Sequence, residues 1–203
     1  MKILGISCYY HDAAACIVDD GVIVAAAQEE RFSRVRHDER FPAQAIRYCM
    51  AEAGVDRLDA VAFYDKPILK FHRILETFFS VSPSGLHSFM RALPIWLREK
   101  LWIEPEILDS LVRWGIEAPE KVFFVEHHES HAASAFYPSP FSEAAVLTLD
   151  GVGEWATATL AVGEGNTLRM CNQLTFPHSL GLLYSAFTSF TGFKVNSAEY
   201  KMM

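Results

Sequence analysis

The chain has 203 residues, 51% hydrophobic and 21% charged, with 18 Lys and Arg against 25 Asp and Glu. That length supports a packed core and leaves room for two lobes. A formal net charge of −7 argues against a general affinity for nucleic-acid phosphates, and no apolar run approaches a membrane span.

From the N-terminus, Lys2 to Cys8 is an apolar, β-prone run, Ala13 to Val18 is a second, Asp19-Asp20-Gly21 is a turn, and Val22 to Gln28 is a third strand. The loop Tyr9-Tyr10-His11-Asp12 joins the first two. MKILGIS carries no long apolar signal region, so a cytoplasmic protein is expected. Four scattered cysteines, Cys8, Cys16, Cys49 and Cys171, form no C-x-x-C pair, which speaks for reduced thiols and against a disulfide framework or a cysteine zinc site. In the charged stretch Glu29 to Arg40, Arg31, Arg34 and Arg36 suit either a phosphate or carboxylate ligand or a solvated, salt-bridged segment. Pro42 stands at the first position of a helix whose apolar residues Ala45, Ile46, Cys49, Met50 and Ala53 keep helical spacing up to a stop at Gly54. Leu58 to Tyr64 reads as a strand.

Residues 67–119 change character. Ile68 to Phe79, Leu86 to Trp102 and Ile107 to Trp114 read as helices, broken by Ser82-Pro83-Ser84-Gly85 and by Pro105. They are rich in Phe, Leu and Trp and hold no defensible set of acids, bases or nucleophiles. A helical insertion packed on the core is the expectation.

Lys121 to Val125 (KVFFV) reads as a buried strand. Beyond it lies Glu126-His127-His128-Glu129-Ser130-His131-Ala132-Ala133. On a helix, residues i and i+4 share one face, so the imidazoles of His127 and His131 can reach one metal ion, the alternative being capping or partly buried histidines. Imidazole suits Zn, Fe, Cu and Ni, so the spacing does not choose among them. Ala145 to Leu149 is a strand, Asp150-Gly151-Val152-Gly153 a tight loop, Trp155 to Val162 a strand, Gly163 to Asn166 a turn, and Thr167 to Thr175 a further strand. Ser179 to Phe193 suits a helix after Pro177-His178, with Tyr184, Phe187 and Phe190 expected in the core. Asp150 closes a strand expected to be buried, where a carboxylate is costly without a cation or donors nearby. Two readings stand for it: a turn-forming Asp-Gly, or the third member of a facial set with His127 and His131 that leaves positions for substrate oxygens.

Twice, a strand runs into a polar loop and then into two strands joined by a tight turn. Duplicated lobes of this kind resemble the α/β fold of actin, sugar kinases and Hsp70-type ATPases (ribonuclease H-like), in which the two loops face nucleotide phosphates. On that division residues 1–142 form a first lobe carrying the helical insertion 67–119, and residues 143–203 begin a second, truncated lobe.

Residues 3–18 (ILGISCYYHDAAACIV), 28–42 (QEERFSRVRHDERFP), 127–133 (HHESHAA), 149–154 (LDGVGE) and 199–202 (EYKM) together resemble the N-terminal part of the O-carbamoyltransferase family. These biosynthetic enzymes modify antibiotics and nodulation factors and are related to the threonylcarbamoyl-tRNA enzymes. The resemblance implies ATP-dependent carbamoyl transfer in two steps. A separate C-terminal, YrdC-like domain makes carbamoyl-adenylate from carbamoyl phosphate and ATP. The actin-like domain then moves the carbamoyl group to a hydroxyl of a small-molecule acceptor, with no nucleic-acid or membrane partner. It further implies that His127, His131 and Asp150 bind Fe(II) or another divalent metal, completed by an aspartate downstream of residue 203. His11 would be the general base, its alternative being a loop histidine bonded to Asp12. Gly151 and Gly153 would lie near the nucleotide with backbone donors. A fragment with weak or absent metal binding on its own is the matching expectation. A tRNA threonylcarbamoyltransferase and a non-catalytic nucleotide- or metal-binding module of the same fold are the competing readings.

Overall fold

Short runs of apolar and small residues build the first sheet. The computed structural model describes residues 1–202 and places β1 at Lys2–Ser7, β2 at Ala14–Asp19 and β3 at Val22–Gln28, a meander closed by the turn through Asp20 and Gly21. A single helical turn, α1 (Glu30–Ser33), ends at Arg34, which adopts a left-handed backbone. The helix α2 spans Ala43–Ala53, with Pro42 as its N-cap residue rather than its first helical one, and Gly54 closes it at φ 60°. Gly54 suits that position because a side chain there would be strained. Strand β4 (Ala60–Phe63) pairs parallel with β1.

The helical stretch differs from its expected breaks. Helix α3 covers Pro67–Val81, α4 covers Leu86–Arg98, a 3₁₀ turn covers Lys100–Trp102, and α5 covers Ile103–Arg113. Pro105 does not break the chain; it sits in the first turn of α5, where the missing N–H had no intrahelical acceptor to lose. Helix α4 buries none of its residues among those described, so the expected packing on the core holds for α5 and not for α4.

Strand β5 (Val122–Phe124) pairs parallel with β4 and forms an edge of the sheet, whose order is β3-β2-β1-β4-β5. It is not the buried strand expected from KVFFV: at the edge, Phe123 is exposed. After it come α6 (His127–Phe136), β6 (Glu143–Leu149), β7 (Ala156–Glu164), β8 (Thr167–Thr175) and α7 (Leu180–Phe190). Strands β6, β7 and β8 form a second antiparallel meander in the order β6-β7-β8. Strand β6 is buried on one face only, through Val146 and Thr148, while Leu147 and Leu149 are exposed. The class is α/β.

The chain divides into two compact units, residues 1–67 with 85–125, and residues 68–84 with those from Glu126 onward. In the first, Leu4, Ile6, Ile17, Val61 and Phe63 of the sheet share a core with Ala45, Ile46 and Cys49 of α2 and Ile103, Ile107 and Leu111 of α5. In the second, Ala132 and Phe136 of α6 pack on Val146 and Ala161. Gly163 admits the Phe136 ring, since a Cβ there would meet three ring carbons at 2.6 Å. The aromatic residues of α7 are not core. Tyr184 and Phe187 are exposed and Phe190 is 86% exposed, because the one buried residue of that helix is Thr188. All four cysteines are free. Among the described residues no helix is long and apolar enough to cross a membrane.

Candidate metal centre

Helix α6 is oriented by its buried stripe. His128, Ala132 and Phe136, at i, i+4 and i+8, face the sheet. His128 is anchored there: its Nδ1 lies 2.6 Å from the Thr148 hydroxyl, which lies 2.6 Å from that of Thr159. Burial holds the His128 imidazole below its usual value, with Asp150 pulling the other way and His127 and His131 adding to the depression. Once His128 points inward, its neighbours His127 and His131 must project together from the adjacent face.

The N-terminus of the same helix is held by Glu154. This buried carboxylate accepts the His127 N–H at 3.0 and 3.3 Å, placing negative charge where the helix dipole favours it. Gly153 allows the loop to approach so closely: a Cβ there would lie 3.0 Å from His127 Cβ and 3.0 Å from His128 Cδ2.

Asp150 follows β6 directly, and its N–H donates to the Thr157 carbonyl at 2.9 Å. Its Oδ2 lies 2.6 Å from His127 Nε2 and 3.7 Å from His131 Nε2, while the two Nε2 atoms are 3.1 Å apart. The structure therefore brings His127, His131 and Asp150 together, with side-chain exposures of 12%, 52% and 34%. Burial pushes the Asp150 carboxyl up, but the two imidazoles and the Gly151 N–H outweigh it and hold the carboxyl well below the usual carboxylate range.

The donor set fits a divalent cation. Metal–ligand bonds of about 2.0–2.2 Å place adjacent ligand atoms roughly 3 Å apart, a value that the three separations of 2.6, 3.1 and 3.7 Å bracket. A proton on His127 Nε2 can be given to Asp150 Oδ2 or to His131 Nε2, but not fully to both. A cation accepting lone pairs from all three atoms would satisfy them at once.

The N–H groups of the two loop glycines bond within the loop. The Gly151 N–H donates to Asp150 Oδ1 at 2.6 Å, and the Gly153 N–H donates to the Ala156 carbonyl at 2.8 Å. The donors expected for a nucleotide are turned into the loop. Ser179, the N-cap of α7, donates to the Gly151 carbonyl at 2.6 Å and accepts the Leu182 N–H, tying this loop to the next helix.

His11 belongs to the first unit. It is exposed, and its Nδ1 lies 2.9 Å from Asp12 Oδ2. Among the nearby arginines, Arg40 pairs with the buried carboxylate of Asp38 at 2.6 Å, and Arg47 stacks on the Trp114 ring at 4.7 Å while donating to its carbonyl.

A model of the carbamoyltransferase N-terminus family matches residues 2–203. The chain belongs to this family. Among its relatives, an uncharacterized protein of Synechocystis sp. is 56% identical over 99% of this chain and 34% of its own length. Nodulation protein NolNO of Sinorhizobium fredii is 36% identical over 96% of this chain and 27% of its own length. An uncharacterized protein of Methanocaldococcus jannaschii is 26% identical over 99% of this chain and 32% of its own length. The chain thus spans about a third of the length of these relatives.

Within this carbamoyltransferase N-terminal domain, three supporting residues escaped the reading of the sequence. Glu154 caps α6, Thr148 anchors His128, and His37 bonds Asp12. Glu154 ends the LDGVGE run, but nothing local marks which helix it serves. Thr148 and His37 lie 20 and 25 residues from their partners.

Proposed function

We propose that this chain supplies the metal-holding and acceptor-activating part of an ATP-dependent O-carbamoyltransferase with an actin-like, ribonuclease H-like fold. The two antiparallel meanders, the first extended by parallel β4 and β5, support that fold. The reading is carried by one observation: in a member of a carbamoyltransferase family, two imidazoles and a carboxylate converge on one point. A YrdC-like domain makes carbamoyl-adenylate from carbamoyl phosphate and ATP, and the carbamoyl group passes to a hydroxylated small molecule.

His127 and His131, through Nε2, and Asp150, through Oδ2, would hold a divalent metal, Fe(II) by the family expectation. Bound there, it would supply Lewis-acid stabilisation of negative charge on the adenylate phosphate. Glu154 and His128 keep the two imidazoles in place from behind. Gly151 and Gly153 would lie near the nucleotide by the family expectation, with Gly153 also letting the loop close on His127 and His128.

His11 is the base in this reading. The His11 Nδ1–H donates to the Asp12 carboxylate, so the imidazole lone pair is on Nε2. That nitrogen takes the proton of the acceptor hydroxyl as its oxygen attacks the carbamoyl carbon. The bond from that carbon to the phosphate oxygen breaks, and AMP leaves. An alcohol is a poor nucleophile at neutral pH, and a positioned base contributes ~10²–10⁴-fold.

Incubating the full-length protein with carbamoyl phosphate, ATP and Fe(II) tests the proposal. Carbamoylated acceptor should appear only with a hydroxylated small molecule, and Asp150→Ala should abolish it without stopping adenylate formation. Transfer to tRNA instead, or full transfer by Asp150→Ala, would overturn it.

A further inference from the structure

We propose that His37 is a positioning residue for His11, acting through the carboxylate of Asp12 that the two imidazoles share. Asp12 Oδ2 lies 2.9 Å from His11 Nδ1, and Asp12 Oδ1 lies 2.9 Å from His37 Nδ1. An ionised carboxylate only accepts, so both imidazoles present Nδ1–H to it, which leaves Nε2 as the place of the lone pair in the neutral form of each ring. Burial raises the Asp12 carboxyl, but the hydrogen bonds from His37 and then His11 outweigh it and hold the group ionised.

The geometry explains why one imidazole needs the other. The His11 side chain is 61% exposed and that of Asp12 33%, so a single bond between them leaves the carboxylate free to turn about its own axis. A second bond to the opposite oxygen removes that freedom. His37 is itself held, since its N–H donates to Glu30 Oε2 at 3.2 Å.

The backbone supports the same assignment. The loop after β1 and the loop after α1 are clamped by two bonds, from the Tyr9 N–H to the Glu39 carbonyl and from the Ala13 N–H to the Asp38 carbonyl, each at 2.7 Å. Four non-glycine residues of these two loops are left-handed: Tyr9 (φ 70°), Asp12 (φ 47°), Arg34 (φ 58°) and His37 (φ 55°). A side chain in this conformation is strained, and such residues persist where the surroundings impose them, often at functional sites. Here they bring His37 to the carboxylate that faces His11.

This inference rests on the reading of His11 as the base, and the test separates the two. Ring ¹⁵N–¹H correlation spectra of the full-length protein report the His11 tautomer without any turnover. His37→Ala should convert His11 from a pure Nδ1–H tautomer to a mixture. It should also lower kcat for carbamoyl transfer about 10–100-fold, as loss of an outer-shell partner does for a metal-bound histidine, with the acceptor KM unchanged. His37→Asn places an N–H near the position of Nδ1 and should restore the tautomer and most of the rate. His37→Gln, which imitates Nε2, should not. An unmixed His11 tautomer in His37→Ala, or rescue by Gln and not by Asn, overturns the proposal. A mixed tautomer with undiminished transfer would uphold the positioning and overturn the role of His11 as base.

Discussion

Gly181 is the position where the structure makes its most decisive demand. It lies in the first turn of α7, and an added Cβ would meet the Asp150 carbonyl carbon at 2.5 Å and the Gly151 nitrogen at 2.6 Å, with the Asp150 carbonyl oxygen nearer still. Two effects compete in Gly181→Ala. Replacing glycine by alanine inside a helix gains up to about 1 kcal/mol, and less in the first turn. Forcing an extra carbon into a filled space costs about 1–3 kcal/mol, at the upper end when no side chain can rotate away. Here the obstacles are main-chain atoms, already fixed by the Ser179 hydroxyl on the Gly151 carbonyl and by the Asp150 N–H on Thr157. The clash therefore wins, by roughly 1–2 kcal/mol. At about 2–4 °C per kcal/mol for a domain of this size, the midpoint should fall by roughly 2–8 °C. Thermal unfolding followed by circular dichroism reads this directly. Gly151→Ala is the control: its Cβ would meet only Leu182 Cδ2, at 3.6 Å, an ordinary contact, so its midpoint should hardly move. An unchanged or raised midpoint in Gly181→Ala, or an equal fall in both variants, would refute the reasoning.

Other outcomes follow from the same structure. Thr148→Val leaves the buried Nδ1 of His128 without its hydroxyl and should cost about 1–3 kcal/mol in urea denaturation, whereas Thr148→Ser should cost much less. Glu154→Ala removes the carboxylate from the N-terminus of α6 and should cost about 0.5–2 kcal/mol, measured the same way. Arg40 beside Asp38 holds that carboxyl well below the usual carboxylate range, so its contribution is fully present above the unfolded value near ~4 and is lost as pH falls toward the depressed folded value. Asp38→Asn should accordingly destabilise the protein at pH 7, with the gap from wild type closing on acidification below about pH 4; a gap independent of pH would contradict this. In the full-length protein, His131→Ala should reduce bound divalent metal, read by elemental analysis after dialysis, without lowering the thermal midpoint of the metal-free form, because the His131 side chain is half exposed.

Local pattern alone specified the meanders, the stop at Gly54 and the helix that presents His127 and His131 on one side, because hairpin turns and i, i+4 spacing depend only on near neighbours. That His128 rather than His127 faces the sheet depended on Thr148 and Thr159 from two strands. The errors have the same origin. KVFFV and the aromatic residues of α7 are apolar enough for a core, yet burial depends on which element lies opposite, and β5 is an edge strand while α7 turns Thr188 inward. Pro105 looked like a break because its place within the first turn of α5 depends on where that helix starts, which the 3₁₀ turn at Lys100–Trp102 sets.

From its residues in order, this protein declares its class, its two meanders and the pair of histidines, since each follows from short-range sterics and periodicity. Only the tertiary structure decided that the Asp150 oxygen meets the two imidazoles and that Asp12 holds His37 as well as His11. Those meetings join His127 to Asp150, 23 residues on, and Asp12 to His37, 25 residues on, and they exist because packed sheets, clamped loops and a glycine without a side chain let the chain return to the same point.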